Sequence, residues 1–256
     1  MKYDLKNNLR HSIVLIVCIS ILMIIASMQF QTRLTHLNQP GYWGDYLLNI
    51  FGGVRIYDFS NKNLNFDIPK EYLILTLVIA LIGLRYISSD YSRNTAVIFG
   101  NRKKWIAGKM ISNSVIILIV YGMGFVISGI FSGFSLGFNK TADQKIFKID
   151  TVPDSIKEVA LTITSCLLTA LAISILQLLV SVMSNYFTGF IVAIGIYVVS
   201  VFDCNPFLIG NGIMFIRYGI FSVNGNSVFI YLVSSSLIII VGAVATLAVV
   251  KKKDIL

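Results

Sequence analysis

Gly108-Lys109 has the ending of a phosphate-cradling loop, the feature that would give this chain a nucleotide site. Such a loop needs a glycine five residues before the second one, and a Ser or Thr after the lysine to reach Mg²⁺. Those positions hold Lys103 and Met110 here, so no nucleotide site is expected. Other chemistry-bearing types are sparse. Cys18, Cys166 and Cys204 stand far apart, the first two inside apolar runs, where a lone Cys acts as a small buried hydrophobe. Their spacing suits neither zinc nor a disulfide framework. His11 and His36 have no partner pattern for a metal or a catalytic triad, and there is no H-E-x-x-H or paired-glutamate motif. No catalytic, cofactor-binding or metal-binding residue is therefore expected, and the chain reads as a non-catalytic protein.

The stretch 88–109 is more informative. It is basic, yet Asp90–Phe99 is compact and amphipathic, and its Val97, Ile98 and Phe99 would be poor company for water. A short helix presenting these residues to another protein explains them; lying flat on lipid headgroups is the alternative. Two further features could matter. Gly129, Gly133 and Gly137 repeat at four-residue spacing, a small-residue face that lets another helix approach closely. Gln177 is the most polar deep side chain of the apolar runs. It could bond to a neighbouring helix or line a substrate route.

The elements that must position these residues are membrane helices. Of 256 residues, 56% are hydrophobic and only 13% charged, against about 45–50% and about 25% in soluble domains. A span needs about 20 apolar residues. The expected fold is all-α and membrane-embedded, one transmembrane domain over 1–256. Its six spans fall near 12–30, 72–87, 110–138, 159–183, 186–202 and 227–250. The apolar stretch 159–202 would reach about 66 Å as one helix, so it must fold back, and Ser184-Asn185 is its best break. The segment 203–226 could dip back into the membrane between the fifth and sixth spans, Tyr42–Tyr57 could lie in the interface, and the charged 139–158 should be solvated.

Basic residues settle the expected orientation. Lys2, Lys6 and Arg10, then Arg85, Arg93, Arg102, Lys103, Lys104 and Lys109, then Lys251, Lys252 and Lys253 fall on one side, with only Asp4, Asp90 and Asp254 against them. That side should be cytoplasmic, with both termini on it. The net charge of +9 is thus a matter of topology, and nucleic acid is not an expected partner. No carboxylate sits deep in a span, so uphill transport would need energy from a partner.

In order, the 88–109 connection carries an acidic–aromatic pair (Asp90-Tyr91), Asn94-Thr95, an apolar patch (Val97-Ile98-Phe99), a turn (Gly100-Asn101), and Arg102 followed seven residues later by Lys109. This resembles the ABC-2 type permeases, the six-helix membrane subunits of bacterial ABC exporters. Asn94 stands where those commonly have Gly, a departure softened because Asn also visits left-handed backbone. The tail Lys251-Lys252-Lys253-Asp254-Ile255-Leu256 resembles the family's basic–acidic–apolar ending. The resemblance implies a cytoplasmic coupling helix after the second span, contacting an ATPase through Asp90, Tyr91, Arg93, Asn94, Thr95, Val97, Ile98, Phe99, Arg102 and Lys109. It also implies separate ABC ATPase subunits that bind ATP and Mg²⁺, a second permease subunit, identical or related, and residence in a bacterial plasma membrane. A permease this short without a fused ATPase is similar to those exporting antimicrobial, lantibiotic-like or toxin peptides. A membrane scaffold or sensor, or a membrane-bound enzyme-assembly subunit, are the other classes; an ATPase gene beside this one would separate them.

Overall fold

The structure is a computed structural model that describes residues 2–55, 68–88, 102–134, 144–147, 149–153 and 155–252. Among these the chain is helical: α1 (Lys2–His36), α2 (Trp43–Phe51), α3 (Lys70–Ser88), α4 (Arg102–Phe134), α5 (Gln144–Phe147), α6 (Ile156–Met183), α7 (Tyr186–Phe202) and α8 (Val228–Lys252). Two 3₁₀ turns, Ile209–Ile213 and Phe215–Arg217, lie between α7 and α8. Among the described residues, extended pairing is limited to an isolated bridge between Tyr218 and Asn226.

Among the described residues, four helices are long and apolar enough to cross a membrane: Ser12–His36, Lys103–Phe134, Ile156–Met183 and Val228–Lys251. The protein is a membrane-embedded, multi-pass helical protein. Tyr186–Phe202 is a shorter apolar helix. The helices α1 and α4 extend beyond the expected apolar runs, α1 at both ends and α4 at its start, because flanking polar and basic residues continue the helix once it is nucleated. The break between α6 and α7 falls at Ser184-Asn185, as the polar pair suggested. Asn185 accepts a hydrogen bond from the Thr188 N–H at 2.8 Å, satisfying one of the donors a helix start leaves open. Ser155 plays the same part for α6, accepting from the Glu158 N–H at 3.4 Å.

Apolar side chains gain little by leaving lipid for a neighbouring helix, so close packing and polar links must hold such a bundle together. Gly83 of α3 lets Gln177 of α6 lie against the backbone; a Cβ there would sit 2.5 Å from Gln177 Oε1. Gly124 of α4 similarly admits the Phe51 ring, whose Cζ would lie 2.4 Å from a Cβ. Phe51 stacks on Tyr121 at 5.4 Å between centroids and lies 4.9 Å from Phe125 and 5.8 Å from Phe215.

Two connecting segments depart from the sequence-based expectation. The helix α2 is inserted among α1, α3 and α4 rather than laid along a surface, with Asp45, Tyr46, Leu47, Leu48, Ile50 and Phe51 all buried. Its polar stripe is turned into the protein as well: Asp45 is fully buried, and Asn49 one turn on donates from Nδ2 to Ala26 O of α1 at 3.4 Å, which suits a plug better than a raft. Within the segment expected to be solvated, Ile146 and Phe147 pack against a cluster of Phe30, Leu34 and Tyr46, and Ile149 is buried. Charged neighbours masked these apolar residues in the sequence.

Candidate functional site

The most polar buried arrangement in the described chain is built around Arg217, which is 0% exposed. Its position follows from two local events. After α2, Gly53 adopts a left-handed backbone (φ 74°), which a side chain would resist, and turns the chain so that Val54 and Arg55 aim their carbonyls inward. At the other side, α7 ends at Phe202, leaving its last carbonyls without helical partners. Arg217, closing the second 3₁₀ turn, reaches both. Its Nε donates to Val54 O at 2.8 Å. Nη1 donates to Ser200 O at 2.5 Å, Asp203 O at 2.9 Å and Asn211 Oδ1 at 2.6 Å. Nη2 donates to Val201 O at 2.6 Å and Arg55 O at 3.2 Å. A guanidinium has five N–H groups, so all of its donors are engaged.

Every one of these acceptors is neutral. Burial pushes the guanidinium pKa down from its ordinary value, while the negative end of the α7 dipole and the converging carbonyls favour the charged form. Asn211 extends the arrangement by donating to Asp203 O at 2.9 Å and Asn205 O at 3.0 Å. Asn226 donates to Cys204 O at 3.0 Å and to the Tyr231 hydroxyl at 2.7 Å. Burial raises the Cys204 thiol pKa. Tyr218 donates to Gly212 O at 2.6 Å and lies 2.9 Å from Ser165 Oγ. The segment 203–226, expected to be a half-apolar excursion, is thus a polar-centred knot packed on α6, α7 and α8. Chemically it holds three parts of the chain in register.

The sequence-singled residues fall elsewhere. Asp90, Tyr91, Arg93, Asn94, Thr95, Val97, Ile98 and Phe99 lie outside the described residues, as does Gly137. Arg102 opens α4, and Lys109 lies two turns on with 1% exposure. Along those turns Trp105, Ile106 and Met110 pack with Leu178 and Val182 of α6 and Val250 of α8. The start of α4, the end of α6 and the end of α8 therefore meet at one end of the bundle. Gln177 is 1% exposed and donates from Nε2 to Ala80 O on α3 at 2.8 Å. Gly133 lies in α4, and Gly129 faces open space within this chain, with nothing within 4 Å of where a side chain would begin.

Arg217 escaped the sequence reading, although an arginine flanked by Phe215, Ile216, Tyr218, Ile220 and Phe221 is a recognisable sign of burial. So did the G-x-S-x-G spacing of Gly133-Phe134-Ser135-Leu136-Gly137. A nucleophile elbow places its serine between a strand and a helix, whereas Gly133 and Phe134 are the last residues of helix α4. Among the described residues no group of three or more His, Cys, Asp or Glu could hold a metal ion. No known protein family, curated protein or solved structure matches the chain.

Proposed function

We propose that this chain is the membrane-spanning permease subunit of an ATP-driven ABC-2 type exporter in a bacterial plasma membrane. The observation that carries the reading is the ordered pattern from Asp90-Tyr91 to Arg102 and Lys109 in the connection between α3 and α4. In this reading α3 and α7 are two further spans beside the four long helices. Their 19 and 17 residues come to about 28 and 26 Å at the helical rise, near the hydrocarbon thickness of a bilayer. The connection between α3 and α4 is cytoplasmic, as are both termini. The meeting of the α4 start with the α8 end supports this, since Arg102–Lys104 and Lys251–Lys252 then share one side.

Gln177, Asn113 and Thr169 bond to Ala80, Ser174 and Ser235 within the bundle. The substrate route in this reading therefore runs between two permease subunits, identical or related, and separate ATPase subunits bind ATP and Mg²⁺. The substrate class is a peptide, antimicrobial, lantibiotic-like or toxin, or another amphipathic molecule. The test is co-purification with the ATPase encoded beside this chain, together with a transport assay. Phe99→Ala should detach the ATPase or uncouple its turnover, since a desolvated anchor is worth about 2 kcal/mol or more. If Phe99→Ala and a Val97/Ile98 double alanine both leave binding and transport at the wild-type level, the exporter reading fails.

A further inference from the structure

An apolar slot runs between α1 and α3, floored by Ile50 of α2. Its inner walls, Ile19, Met23 and Leu75, are buried, whereas Leu22 and Ile25 on the rim are 40% and 44% exposed. The slot thus opens sideways, to the surroundings of the bundle, which in this protein are lipid. Its α1 wall runs from Ile19 to Gln29, about 15 Å at the helical rise, and its α3 wall from Lys70 to Leu75, about 8 Å. One end is polar. There the Lys70 amine donates to Gln29 Oε1 at 2.9 Å and stands 3.9 Å from Glu71 Oε1. The Lys70 side chain is 66% exposed and that of Glu71 19%.

We infer that this slot seats one acyl chain of a phosphatidylethanolamine molecule, whose headgroup spans Lys70 and Glu71. The lining matches hydrocarbon, Ile19, Leu22, Met23, Ile25 and Ile74 among it. The paired charges at the mouth match a zwitterion: the phosphate accepts from the Lys70 ammonium and the lipid amine donates to the Glu71 carboxylate. A glycerol headgroup offers Glu71 no cation, and a choline headgroup offers it no N–H. The inference requires only that the chain is embedded in a membrane, so it stands or falls independently of the exporter reading.

The test uses the full chain reconstituted in vesicles of equal phosphatidylethanolamine, phosphatidylglycerol and phosphatidylcholine with matched tails. After extraction in mild detergent, retained lipid per chain is read by native mass spectrometry. Phosphatidylethanolamine should be retained in preference to the other two. Lys70→Ala should lower that retention about fivefold, the worth of one lysine at a lipid headgroup, and Glu71→Gln should erase the preference over phosphatidylglycerol. Ala26→Trp, which fills the slot, should abolish retention, while Val241→Trp on the exposed face of α8 should not. Equal retention of the three lipids by the wild type would overturn the inference. So would wild-type retention by both Lys70→Ala and Ala26→Trp. Because Lys70 and Glu71 sit at the polar mouth, their variants keep the inference testable even if Ala26→Trp fails to fold.

Discussion

Replacing Arg217 with methionine should be among the most damaging single changes available in this chain. The substitution keeps much of the side-chain volume and removes every donor. Five backbone carbonyls and Asn211 Oδ1 lose their partner, and three of those contacts are 2.6 Å or shorter. A hydrogen bond from a charged donor is worth about 1.5–3 kcal/mol net, and a buried acceptor left bare costs about 1–3 kcal/mol. These figures do not add over six contacts on one group. Part of the loss is also returned, because a buried charge no longer has to be held away from water. A net loss of about 4 kcal/mol follows. At about 2–4 °C per kcal/mol for a chain of this size, Tm in detergent should fall by roughly 10 °C. Arg217→Lys should recover less than half of it, since an ammonium on a narrower head cannot reach both Val54 and Ser200. Asn211→Ala should be milder, and non-additive with Arg217→Met because the two side chains share a bond. Maleimide labelling of the half-buried Cys204 gives a local readout and should accelerate in Arg217→Met. If that variant melts within about 2 °C of wild type and labels Cys204 no faster, the carbonyls find other donors and the clamp is ornamental.

Other outcomes follow from single contacts. Gln177→Leu removes the bond to Ala80 O and should lower stability by about 1 kcal/mol, the usual worth of such a link in a membrane, read by thermal unfolding in detergent. Gly124→Val should displace the Phe51 ring and lower Tm clearly. Gly129→Leu points into open space, so the isolated chain should melt as wild type; a loss seen only in the assembled state would mark a second subunit against that face. Cysteine labelling of both tails in intact cells should report both as cytoplasmic, and an external C-terminus would defeat the proposed topology.

Hydropathy alone reveals the long helices, because about 20 apolar residues in a row have few other uses. The α6–α7 break was also legible, since Asn185 carries its capping chemistry in its own side chain. The clamp was not. Its acceptors are backbone carbonyls, which every residue has, so nothing in the identity of Val54, Ser200 or Val201 announces them. Arg217 was also hidden by the habit of reading lysine and arginine in membrane proteins as markers of sidedness. The helix α2 was misjudged for a related reason. Amphipathicity with aromatic residues describes an interfacial helix, but here the polar face is engaged inside the protein too, with Asp45 accepting the Tyr42 N–H and Asn49 donating to Ala26 O. Residues 90–99 carry a pattern of order and type, and their reading stays one of sequence.

The reach of Arg217 also has a meaning in time. Its bond to Val54 joins positions 163 residues apart. At about 5–20 residues per second of synthesis, the arginine leaves the ribosome about 8–30 s after the carbonyl it must meet. During that interval the carbonyls of Val54 and Arg55 lack the donor that they meet in the folded chain. A chain cut short anywhere before residue 217 would keep that opening permanently. The clamp therefore closes late, and the turn at the end of the first fifth of the chain is sealed only when the segment between α7 and α8 has been made.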